Sequence, residues 1–124
     1  MMEDINNLMM GLGIALQGYN ILIAMIGLVL GIIVGVLPGL GGANGVAILI
    51  PVVVTMTPVT GVILLSSIYW GALYGGSITS ILFNIPGEPW SVATTFDGYP
   101  MAKSGKAGKA LVLSFLSHGV GGAV

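Results

Sequence analysis

The stretch ILIAMIGLVLGIIVGVL, residues 21–37, is the clearest structural signal in the chain, because all of its side chains are apolar or absent. As an α-helix it would measure about 26 Å, close to the roughly 30 Å hydrocarbon core of a bilayer. Its surroundings agree, since no Asp, Glu, Lys, Arg or His occurs between Ile5 and Gly87. A bilayer core penalises each charged side chain by roughly 2.5–3.5 kcal/mol on insertion scales. We therefore predict a membrane-embedded, all-α chain with a first span at residues 20–37.

The overall composition excludes several classes of function. With three basic residues and a net charge of −1, the chain lacks the basic face that nucleic-acid binding requires. It has no cysteine, one histidine and two acidic residues beyond the N-terminal tail, which leaves no convincing nucleophile and base for an enzyme. We expect neither a metal site nor a cofactor. The N-terminus also lacks the positive region of a signal peptide, so the first apolar segment is expected to remain as a span.

Glycines recur every four residues along the first span, at Gly27, Gly31, Gly35 and Gly39. This spacing places them on one helical face. In lipid, small residues on one face allow two helix backbones to approach closely. We expect the stripe to serve helix packing.

A proline and four glycines follow the first span, in the sequence LPGLGGANG at residues 37–45. Proline and glycine end a helix there, and irregular backbone at membrane depth must lie inside protein or line a wet cavity. The next apolar block, residues 44–57, is short for a span. It is therefore interpreted as a half-helix or as half of a re-entrant hairpin.

The third apolar block, residues 59–83, carries hydroxyl side chains among its aliphatic ones. It is either one tilted span or a broken one. Gly75-Gly76 weaken it, and Asn84, Pro86 and Gly87 end it, which predicts a second break around Gly75–Gly87. A polar loop is expected at residues 85–109, and residues 110–124 are interpreted as the start of another helix. The chain is accordingly expected to be a fragment of a longer membrane protein.

Orientation follows from the lysines. Lys103, Lys106 and Lys109 lie in the polar connection, and the positive-inside rule places such a loop in the cytoplasm. The N-terminus is then outside if residues 21–83 cross three times, and inside if the short block is re-entrant. Glu88 and Asp97 fit solvated loop carboxylates better than a proton or cation site.

The two interruptions are the candidate binding regions. Broken transporter helices expose helix N-termini that attract carboxylates and carbonyls that hold cations. The alternative is that the hydroxyls only satisfy their own helix backbone. The candidate substrate- or cation-binding residues are Pro38, Gly39, Gly41, Gly42, Asn44, Gly75, Gly76, Ser77, Thr79, Ser80, Asn84, Pro86 and Gly87.

The same segments carry a family resemblance. Residues 35–42 (GVLPGLGG), 74–88 (YGGSITSILFNIPGE), 94–102 (TTFDGYPMA) and 105–111 (GKAGKAL) resemble the N-terminal part of the large membrane subunit of tripartite tricarboxylate transporters, the TctA family. The resemblance implies a multi-pass protein of the bacterial inner membrane that imports carboxylates. It also implies Na⁺ or H⁺ coupling, a small membrane subunit and a periplasmic solute-binding protein as partners, and an inverted-repeat architecture of which this chain is one part. A passive channel and a structural assembly subunit are the alternatives.

Overall fold

The computed structural model describes residues 1–122, whose regular structure is helical throughout. Within residues 1–122, six α-helices are accompanied by a 3₁₀ turn, Pro89–Ser91, and by a π-helical turn, Ala102–Lys106, that is kinked at Gly105 with φ +79°. The α-helices are α1 (Met2–Ala15), α2 (Gly18–Val36), α3 (Gly41–Val53), α4 (Pro58–Phe83), α5 (Val92–Met101) and α6 (Ala107–Gly121). Two of them, α2 and α4, are long and apolar enough to cross a bilayer. The prediction of an all-α membrane fold is confirmed.

Helices α2 and α4 run parallel and touch through their glycines. Gly31 faces Ile68, and Gly35 faces Ala72 further along both helices. A Cβ atom on Gly31 would lie 2.9 Å from Ile68 Cα, so this contact admits no side chain. The expected packing role is therefore seen for the glycines within α2. Gly39 is different, because it lies beyond the end of α2 with φ +87° and has open space around its Cα.

Helix α3 runs antiparallel to its two neighbours and fills the groove between them. Its first turn packs on α4 at Tyr69, which would lie 3.1 Å from a Cβ on Gly42. Its last turn, at Val53, reaches Gly61 near the start of α4. With 13 residues, α3 is about 20 Å long. The chain thus runs in one direction along α2, in the opposite direction along α3 and in the first direction again along α4.

The two predicted breaks differ in the structure. The first is real but shorter than expected, because the irregular backbone covers only Leu37–Gly41 and α3 begins at Gly41. The second was placed too early. Helix α4 continues through Gly75-Gly76 and ends at Phe83, followed by Asn84 in the left-handed conformation with φ +57°. Gly75 stays helical because it packs directly on the backbone of α2, which compensates for its missing side chain.

The polar connection at residues 85–109 is not a loop, which corrects that prediction. It contains the 3₁₀ turn, α5, the π-helical turn and the start of α6. Tertiary contacts explain the difference, because Gly98 of α5 packs on Ile81 of α4. Helix α6 then returns antiparallel along α4, where the rings of Tyr74 and Phe115 meet edge to face at 5.6 Å.

Candidate functional site

The two breaks in the chain meet in space. Gly87 lies against Gly76 and Gly35, and a Cβ atom on Gly87 would stand 2.6 Å from Gly76 Cα and 2.7 Å from Gly35 O. The N–H of Gly39 also donates to Gly87 O at 3.5 Å. We call this region, defined by Gly39, Gly41, Gly42, Gly76 and Gly87, the glycine junction. Gly87 has no room for a side chain here, and its lack of one lets three backbone segments approach so closely.

A carboxylate occupies the N-terminal end of α3 within the glycine junction. Gly42 N–H donates to Glu88 Oε1 at 2.5 Å. Gly41 has φ +66°, and a Cβ there would collide with the same carboxylate. The first amides of a helix have no partner inside the helix and carry the positive end of its dipole, so a carboxylate is a favourable ligand. Glu88 is therefore a half-buried cap of α3, and its interpretation as a solvated loop residue was wrong.

The predicted hydroxyl residues are buried in the last turns of α4. Thr79 Oγ1 and Ser80 Oγ donate to the carbonyl of Gly76 at 3.1 and 2.8 Å. Ser77 Oγ donates to Leu73 O at 3.4 Å. All three hydroxyl groups therefore donate to backbone carbonyls of α4. This agrees with the alternative interpretation, in which the hydroxyls only satisfy their own helix backbone. Their role as ligands stays a prediction.

The remaining predicted residues lie at the edge of the junction. Asn44 is exposed about one turn into α3, and Asn84 is exposed where α4 ends. Pro38 and Pro86 are exposed in the two breaks. Gly75, by contrast, faces α2. The structure therefore gathers Gly39, Gly41, Gly42, Gly76, Thr79 and Gly87 in one place and leaves the asparagines and prolines around it.

Ser91 is a residue of this region that sequence reasoning missed. Its Oγ accepts from Glu88 N–H at 3.1 Å and donates to Glu88 O at 2.8 Å. It also lies 3.1 Å from Ser80 Oγ of α4. Ser91 thereby fixes the segment that carries Glu88 to α4. The signal in the sequence is Pro89, since proline is typical of the first position of a helix.

A second buried polar cluster lies at the opposite end of α2 and α4, and the sequence analysis missed it as well. Asn20 Nδ2 donates to Ile14 O at 2.8 Å, and its Oδ1 accepts from Thr60 Oγ1 at 2.9 Å. Thr57 Oγ1 donates to Thr60 Oγ1 at 2.9 Å. This cluster fixes the register of α2 against α4. The available signal was the position of these polar residues, just before two long apolar blocks.

Two cavities lie outside the glycine junction. The first has a volume of about 350 Å³ and lies between α2, α4 and α6. It is lined by apolar and aromatic side chains and by His118. The other, about 390 Å³, lies between α4, α5 and α6 and includes Asp97 and Ser114. Neither of these two cavities is lined by the predicted site residues.

Comparison with known proteins identifies the family. The model of the tripartite tricarboxylate transporter TctA family matches residues 21–124. The chain belongs to the TctA family. The resemblance of its motifs is thereby confirmed, and with two long apolar helices the chain is a membrane protein.

One curated relative extends the comparison. The chain is 48% identical over all 124 residues to a protein of Agrobacterium vitis described as "Uncharacterized 52.8 kDa protein in TAR-I ttuC' 3'region". The alignment covers 100% of the chain but 25% of that relative, so the chain spans a quarter of the relative's length. No solved structure matches the chain significantly.

Proposed function

We propose that these residues form part of the large membrane subunit of a tripartite transporter that imports tricarboxylates or related carboxylates, driven by a Na⁺ or H⁺ gradient. The match to the TctA family over residues 21–124 is the observation that carries this proposal. The partners we propose are a small membrane subunit and a periplasmic solute-binding protein. The proposed location is the bacterial inner membrane, which the chain crosses several times.

The glycine junction is the proposed place of carboxylate binding. In the absence of Arg or Lys, backbone amides at a helix start can hold an anion. The end of α3 already shows this chemistry, because Gly42 N–H binds the carboxylate of Glu88. Asn44 and Asn84 are exposed, two residues after Gly42 and three residues before Gly87, and the proposal assigns their amide groups to the same site. Glu88 already occupies this amide, so the proposal requires that a substrate carboxylate displace Glu88 or bind at neighbouring amides, and it does not distinguish one acid from another.

The course of α3 supports three crossings between residues 18 and 83. A re-entrant segment would return to the surface from which it entered. Instead, α3 runs beside α4 from Ala72 to Gly61, which lies near the start of α4. With the lysine-rich segment in the cytoplasm, the N-terminus is then outside.

Uptake into membrane vesicles tests the transport proposal. The vesicles carry the large subunit containing these residues together with both partner subunits, and radiolabelled citrate is supplied with and without a Na⁺ or H⁺ gradient. We expect accumulation that requires a gradient. Asn44→Ala should reduce it about tenfold, the effect of losing one hydrogen bond to a charged group. Ser77→Ala tests the buried hydroxyls in the same way.

Ser104→Ala is the matched control, because Ser104 is exposed in the π-helical turn and donates to its own backbone at Met101 O. It should transport normally. Equilibration without accumulation would identify a passive channel instead. Normal uptake by Asn44→Ala and Ser77→Ala at equal protein levels would move the binding site away from these residues.

A purely structural role is the weaker alternative. It rested on the glycine stripe of α2 as a surface for assembly with other proteins. In the structure Gly27, Gly31 and Gly35 are already covered by α4 of the same chain. The stripe is therefore not free to bind a second protein.

A further inference from the structure

Helix α1 has two different faces, and none of its residues is buried. Four of its large apolar side chains recur at helical spacing, and they are 48–64% exposed. They form what we call the apolar stripe, which consists of Ile5, Leu8, Met9 and Leu12. Glu3 and Asn7 lie on the opposite side of the helix, where Met10 is the one large exposed apolar side chain. The apolar stripe is therefore the face that requires an apolar partner.

The position of α1 is set by the buried polar cluster. Ile14 O, in its last turn, accepts from the side chain of Asn20 at 2.8 Å. Asn20 in turn binds Thr60, close to the start of α4. The C-terminal end of α1 is therefore held at the level where both long apolar helices begin. For helices that cross a bilayer, this level is the membrane surface.

Helix α1 is not an extension of α2. The two are separated by Leu16 and Gln17, and Gln17 is non-helical with φ −63° and ψ 140°. With 14 residues, α1 is about 21 Å long, shorter than the roughly 30 Å hydrocarbon core. It has no Lys or Arg, so anionic headgroups offer it no attraction. Its fitting partner is the boundary between headgroups and acyl chains.

We propose that α1 lies in the plane of the membrane surface, with the apolar stripe against the lipid acyl chains and Glu3 and Asn7 in water. The helix is tethered to a membrane span, has the length of an interfacial segment and carries an apolar face that the rest of the described chain leaves open. A lipid surface satisfies all three features at once.

Spin labelling tests the proposal directly, because the chain contains no cysteine and each labelled variant carries a single thiol. Leu8→Cys and Leu12→Cys report the apolar stripe, whereas Glu3→Cys and Asn7→Cys are matched controls on the other face. Each labelled chain is placed in phosphatidylcholine nanodiscs. Collisions of the label with oxygen, which is enriched in lipid, are then compared with its collisions with a water-soluble nickel chelate.

We expect labels at positions 8 and 12 to collide severalfold more with oxygen than with nickel, at a depth of about 5–10 Å. The labels at positions 3 and 7 should show the opposite preference. Equal nickel access at all four positions would place α1 in water and overturn the proposal. Shielding of positions 8 and 12 from both reagents would show that protein, such as a second copy of the chain, covers the stripe, and this result would overturn it too.

Discussion

Among the single residues, Glu88 has the most specific role, since its carboxylate caps α3 from 46 positions away in the sequence. Replacement with Ala leaves Gly42 N–H without this acceptor. A hydrogen bond to a charged group contributes about 1.5–3 kcal/mol. We expect Glu88→Ala to lower the free energy of unfolding by about this amount and Glu88→Gln by less, because the amide oxygen still accepts. Denaturant unfolding in detergent, followed by circular dichroism, measures both.

Glu3→Ala is the control for this prediction, because Glu3 is exposed on α1 and lies far from the glycine junction along the chain. It should unfold like the unmodified chain. If Glu88→Ala also unfolded like the unmodified chain, the contact with Gly42 would contribute nothing to stability.

Asn20 and Thr60 form the second residue-scale contact, and it is buried. Their coupling is measurable with a double-mutant cycle of Asn20→Ala and Thr60→Val. Hydrogen bonds between membrane helices contribute about 0.6 kcal/mol on average and up to about 1.7 kcal/mol. We expect a coupling energy in this range. Strict additivity of the two substitutions would mean that the pair does not stabilise the register of α2 against α4.

At the scale of elements, we expect alanine to change stability in opposite directions at two helical glycines, one in the contact between α2 and α4 and one on the open face of α6. Gly31→Ala places a methyl group against the backbone of Ile68, so we expect it to destabilise by about 1–3 kcal/mol, as overpacking does. Gly108→Ala meets nothing within 4 Å, and we expect it to stabilise α6 by up to about 1 kcal/mol. Thermal unfolding of both variants in the same detergent compares them. Equal melting shifts would contradict tight backbone contact at Gly31.

The elements also show how far the sequence could predict the structure. The absence of charge predicted the spans, and glycine spacing predicted the contact face of α2, because both depend only on local pattern. The continuity of α4 through Gly75 was not predictable in this way, since it depends on packing against a helix some forty residues earlier. The helices within residues 85–109 were missed for the same reason. Their polar composition is typical of a loop, whereas their contacts with α4 stabilise helices in this segment.

For the candidate site, too, features that depend on the local sequence were predictable, whereas features that depend on tertiary contacts were not. Its residues were predicted from glycine and proline, which mark breaks in a helix. That the two breaks form one glycine junction could not be predicted, because Gly39 and Gly87 meet only after α4 has folded back beside α2. The role of Glu88 was hidden for the same reason. What the sequence did offer was its place as the first charged residue after more than eighty uncharged positions.

At the scale of the whole molecule, the antiparallel course of α3 gives a prediction about sidedness. Thr55 follows α3 and Ser104 lies in the π-helical turn, and both are exposed hydroxyl residues that donate to their own backbone. If residues 18–83 cross three times, these two positions lie on opposite surfaces.

We expect Thr55→Cys to react with an impermeant maleimide from the outer surface of spheroplasts, and Ser104→Cys to react only after the membrane is permeabilised. Gln17→Cys should behave like Thr55→Cys, because α2 begins at the same surface as α4. Protection of position 17 while position 55 is labelled would instead make α3 re-entrant, because α2 would then begin at the cytoplasmic surface and α4 would still begin outside. Both variants carry the reacting thiol in the same local backbone setting, so a difference in labelling reports the surface rather than the reactivity of the site.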